Sequence, residues 1–164
     1  MAEKINKLNC AKRQIETAIS LFLDYGDEVS IHTLIAAAHK ILFNKIGKSI
    51  IKNDVFNIPA FNKFSEKEKK RYFNEITGSE NFFKHADKDP DGELEFDSKI
   101  TEYFIFDAIR MYYLLSKKET DLMSKYNVWF YLNYPDLSPP IIKSTVDNLI
   151  QKGVNAKDRK YFLG

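Results

Sequence analysis

Apolar residues recur every three or four positions along most of this chain, and the alternation expected of β-strands is almost absent. That period marks helices that bury one face, so the chain is restricted to packing helix against helix. The clearest stripe joins Ile100, Tyr103, Phe104, Ala108, Met111, Tyr112 and Leu115, within residues 98–117. Its breadth predicts a central position. Ile5, Leu8, Ile15, Ala18, Ile19 and Phe22 predict a first helix over 4–23. Ile31, Leu34, Ile35, Ala38, Ile41 and Leu42 predict a second, with Ser30 as its expected cap. Ala36-Ala37-Ala38 in that helix would let a neighbouring backbone approach closely.

Further helices are predicted from Ser65, over 119–134, and from Ser138-Pro139 to just before Gly153. Ser65 and Glu68 have capping-box spacing, and Tyr72, Phe73 and Ile76 should face inward. One glycine, Gly78, costs only ~1 kcal/mol against alanine. This helix should therefore run on through Asn81–Ala86. Residues 45–64 read as less regular, punctuated by Gly47 and Pro59. The expectation is an all-α, single-domain bundle of about six helices over 1–153, with a short polar C-terminal tail over 154–164.

Twenty-five Lys plus Arg against 23 Asp plus Glu leave a net charge of +2, which provides no drive for non-specific nucleic-acid binding but leaves room for a local basic patch. The single Cys10 excludes an intramolecular disulfide and a cysteine-rich zinc site. No run approaches the ~20 apolar residues of a membrane span. The start, Met1 to Lys7, lacks the apolar core of a signal peptide. These features predict a soluble, cytoplasmic protein.

The segment Glu80 to Gly92 is the most chemically committed part of the chain. Asn81 and His85 stand four apart, so on a helix they share a face. A neutral imidazole exchanges protons near pH 7, and a nearby amide can orient it or hold a phosphate oxygen. This pairing resembles the HEPN family (higher eukaryotes and prokaryotes nucleotide-binding), small helical bundles of which many are dimeric, metal-independent ribonucleases. The family pattern is Arg, a polar residue that is often Asn, three variable residues, then His. Asn81 and His85 match the last two positions, whereas Glu80 stands where the family has its arginine. The resemblance implies nucleotide or RNA interaction at a cleft containing Asn81, Lys84 and His85. In a nuclease of this kind His85 would be the general base, Asn81 would orient, and Lys84 or Arg110 would supply positive charge. The bland reading is a histidine resting at a helix end.

From Asp87, side-chain oxygens fall at alternate positions: Asp87, Asp89, Asp91, Glu93 and Glu95, with Gly92 at the sixth place. This looks like an EF-hand calcium loop, which makes Asp87, Asp89, Asp91 and Glu93 candidate metal ligands and calcium a candidate cofactor. Position twelve is Ser98 where that family has a bidentate glutamate, and Pro90 is unusual inside the turn. A solvated turn whose aspartates cap the next helix is the competing reading.

His32, His39 and His85 are all the histidines of the chain, and convergence of the three with Asp87 would suit a transition metal. Hydrogen-bonded histidines are the plainer expectation. Asp107 and Arg110 are expected to pair along their helix. The aromatic run Tyr126–Tyr134 is read as core, with a base-stacking surface or a homodimer face as alternatives. The different-class alternative to nucleotide interaction is a non-catalytic interaction or scaffold module.

Overall fold

The computed structural model describes residues 2–46, 65–85, 87 and 89–164. Gly47 and Pro59 lie outside the described residues, as does Ala86. The side chains of Glu68, Tyr72, Phe73 and Ile76 do too, and with them the expected capping box and inward face. The described residues form six α-helices and no strand, as an all-α bundle requires. They are α1 (Lys7–Leu23), α2 (Glu28–Ile46), α3 (Glu66–Lys84), α4 (Lys99–Ser116), α5 (Asp121–Asn133) and α6 (Pro140–Gln151). Short 3-10 turns occupy Pro135–Leu137 and Arg159–Phe162.

Capping chemistry sets the helix starts. Asn6 accepts from the Asn9 N–H at 2.8 Å, and Thr120 accepts from the Met123 N–H at 3.4 Å. Before α2 the cap is Asp27, whose Oδ1 accepts from the Ser30 N–H at 2.8 Å. The helix therefore begins three residues earlier than a cap at Ser30 suggests, because a carboxylate outcompetes a hydroxyl for the exposed N–H groups. Gly78 does not interrupt α3.

The core lies among α1, α2, α4 and α5. Ile15, Ile19, Ile35, Leu42, Ile105 and Ile109 are fully buried, and Ala36 and Ala38 occupy the closely packed side of α2. As expected from its broad apolar face, α4 is central. Phe106 stacks on Phe130 with centroids 4.2 Å apart, and Phe22 meets Trp129 edge-on at 4.7 Å. Tyr126, Trp129 and Phe130 are buried, in keeping with the core reading of that aromatic run. α3 packs on α2, and α6 packs on α5.

Residues 154–164 are not a free tail. Phe162 is buried, Trp129 Nε1 donates to the Ala156 carbonyl at 2.9 Å, and Lys160 pairs with Asp24 at 2.7 Å. The segment is polar in composition, yet one buried aromatic and several backbone hydrogen bonds dock it as a strap.

Candidate functional site

Two histidines on α2 face α4, and each is explained by what it touches. His32 is fully buried; its Nδ1 hydrogen-bonds with Thr101 Oγ1 of α4 at 2.9 Å and its Nε2 with Ser79 Oγ of α3 at 3.0 Å. A neutral ring offers one donor and one acceptor, and two hydroxyls supply the complements. Burial pushes its pKa down to about 4, with Lys84 acting in the same direction against the opposing carboxylate of Glu80. His32 is thus a neutral polar pin joining three helices. His39 Nε2 donates to Asp107 Oδ2 at 2.9 Å, and both side chains are largely buried. Asp107 thus turns to His39 rather than to Arg110 as expected. Its second oxygen, Oδ1, is buried without a hydrogen-bond partner among the described residues.

His85 stands apart from both. It follows the last residue of α3, and its N–H still bonds the Asn81 carbonyl at 3.0 Å, so the helical turn carrying the pair is intact. Both side chains are exposed. Lys84 is held by Glu80 at 2.7 Å, one turn back along the helix. Glu80, directly before Asn81, is thus a carboxylate that engages the nearest cation. The three histidines do not converge. No group of three or more His, Cys, Asp or Glu side chains is placed to hold a metal among the described residues.

That statement covers the acidic loop as well. Asp87, Asp89, Asp91 and Glu93 are exposed and do not gather around one point. The loop closes through a bond from the Gly92 N–H to the Asp89 carbonyl at 2.9 Å. A Cβ at Gly92 would lie 2.9 Å from Asp89 Oδ2, so a larger residue there would have to push the folded-back Asp89 side chain aside. At the far end Asp97 Oδ1 accepts from the Lys99 N–H at 3.0 Å, which is the helix-capping role anticipated as the alternative. The helix cap is made by Asp97 and the turn by the Asp89 backbone carbonyl, so neither uses the side chains of Asp87, Asp89, Asp91 or Glu93.

A broad concavity lies alongside this loop. A groove of about 930 Å³ runs between α3 and residues 94–100. Lys67, Lys70, Arg71, Asn74 and Gly78 form its helical wall; Leu94, Phe96 and Ile100 supply apolar surface, and Glu95 and Asp97 lie across from the cations. Lys67, Lys70, Arg71, Asn74, Gly78 and Asn81 are all exposed, and so is His85 beyond the helix end. Through either Lys70 or Arg71 they follow one another at intervals of three or four, on one stripe about 27 Å long from Lys67 to His85. Asn81 and His85 extend that stripe without lining the groove.

Sequence reading centred on Asn81, Lys84 and His85 missed the basic wall. The available signal was a charge periodicity, read at the helical period as apolar residues are. No family model matches this chain, and comparison with curated proteins and with solved structures found no match.

Proposed function

We propose that this protein is a small helical module that binds a nucleotide or a single-stranded RNA segment in the groove along α3. The observation that carries the reading is the segregation of charge within the groove. Lys67, Lys70 and Arg71 form one side, with Asn74 as an added hydrogen-bonding group, while Phe96 and Leu94 offer apolar surface and Glu95 a carboxylate opposite. A nucleotide is segregated in the same way. Its phosphate seeks cations and amide donors, its base face seeks an aromatic, and exocyclic amino groups donate to carboxylates. Gly78 has nothing within 4 Å of where a Cβ would lie, so the helical wall is open at that point.

The reading is one of binding rather than cleavage. Asn81 and His85 lie outside the groove lining, and Lys84 is engaged by Glu80. An anionic transition state at His85 would meet the Glu80 carboxylate nearby on the same helix.

Fluorescence anisotropy with a labelled single-stranded oligonucleotide tests the proposal. Replacing Lys67 and Lys70 together by Gln should weaken binding about tenfold or more at moderate salt. His85→Ala should leave affinity unchanged. Failure of the wild-type chain to bind, or equal binding by the double variant, contradicts the reading. Loss on His85→Ala would shift the site toward the helix end.

A further inference from the structure

On surfaces that share no lining residue with the groove, the C-terminal strap places a guanidinium inside a set of aromatic rings. Arg159 Cζ lies 3.9 Å from the ring centre of Phe22, 5.5 Å from Tyr25 and 5.7 Å from Trp129. Three rings within about 6 Å of one cation form an aromatic cage, in which ring quadrupoles replace part of the cation's hydration. Glu102 Oε1 approaches the same guanidinium at 3.5 Å. That contact is long for a charge-assisted bond, whose usual range is about 2.7–2.9 Å. The Glu102 carboxylate instead bonds most closely with Tyr134, whose hydroxyl donates at 2.6 Å. A cavity of about 10 Å³ borders Phe22, Glu102 and Arg159 on one side of the cage.

The end of α1 positions one of these rings, closing with a bond from the Gly26 N–H to the Leu21 carbonyl at 2.7 Å. Tyr25 has a φ of 58°, the left-handed region where glycine is usual and an aromatic residue is strained. That conformation brings the Tyr25 ring to Arg159, while its hydroxyl donates to the Lys157 carbonyl at 2.9 Å and accepts from the Arg159 N–H at 3.0 Å. The strain is held where the ring and hydroxyl grip the strap.

We propose that Phe22, Tyr25, Trp129 and Glu102 form a recognition site for an arginine side chain of a partner protein, occupied in the free chain by its own Arg159. The strap is then an internal competitor that a partner segment must displace. Being tethered, it acts at high effective concentration, so removal of its guanidinium opens the cage.

Trp129 is the only tryptophan, so its emission reports directly on the cage. The test uses the full-length chain carrying Arg159→Ala, titrated with methylguanidinium and with a synthetic peptide of residues 154–164. Both ligands should change Trp129 emission and raise the melting temperature of the variant. The wild-type chain should need roughly a hundredfold more of either ligand. A peptide whose arginine is replaced by glutamine should do nothing. Equal responses in wild type and variant, or no response in the variant, overturn the proposal. Should Arg159→Ala fail to fold unaided, recovery of the native circular-dichroism spectrum in millimolar methylguanidinium, but not in equimolar urea, supports the cage. No recovery overturns it.

Discussion

His32 shows how a single residue type misleads when read alone. In sequence it is a candidate ligand; in the fold it hydrogen-bonds with Thr101 and Ser79 and is surrounded by the rings of Phe83, Phe96 and Phe104. Only tertiary partners distinguish a pin from a ligand, and those partners come from two helices distant in sequence. Its pKa is depressed from 6.5 to about 4, so the unfolded chain takes up the proton first as pH falls. The stabilising contribution is therefore complete above pH 6.5 and is lost progressively as the pH falls to about 4. At ~1.4 kcal/mol per unit, the loss is about 3 kcal/mol. Urea unfolding at pH 7 and pH 4 checks this. His32→Gln should be less stable at pH 7 but should lack this part of the acid dependence, and parallel profiles for the two proteins would contradict the assignment. Asp107 illustrates the reverse limit: a charge in the midst of an apolar helix signals a need for a partner, but His39 was not legible as that partner, because an in-helix arginine offered the simpler pairing.

At the scale of elements, the helices were legible because the apolar period is unbroken by strand signals, and α4 sits centrally as its wide stripe requires. The ends were less so. Asp27, whose carboxylate outcompetes the Ser30 hydroxyl, caps α2, and Pro140 rather than Pro139 is the first residue of α6. The strap was read as a polar tail because its hold depends on single residues, Phe162 and Arg159, rather than on a periodic face. Phe162→Ala removes the one fully enclosed side chain of that segment and should destabilise the protein by about 3 kcal/mol, measured by thermal or urea unfolding. An unchanged midpoint would mean that the strap is not docked in solution. Gly78→Ala carries the opposite sign. The new methyl meets no atom within 4 Å, so helix propensity dominates and stability should rise by ~1 kcal/mol. A fall in melting temperature would show that the turn around Gly78 is not regular helix.

At the scale of the molecule, a near-neutral net charge conceals a local arrangement in which three cations share one exposed face of α3. The site was only half legible. The stripe that ends in Asn81 and His85 could be followed along the helix, but the opposite wall comes from residues 94–100, and no local pattern announces that they lie across from Lys67 and Arg71. Binding through this wall should be salt-dependent. For single-stranded RNA, removal of two phosphate-contacting lysines should reduce the slope of log affinity against log salt by about 1.4. Identical slopes for the wild-type chain and the Lys67→Gln/Lys70→Gln variant would place the contacts elsewhere. The most direct test is the location of the ligand itself, by amide chemical-shift mapping during titration with a short single-stranded RNA. The account predicts the largest shifts at Lys67, Lys70, Arg71, Asn74 and Phe96, with His85 at the margin. Shifts centred away from α3, or none at millimolar ligand, would contradict it.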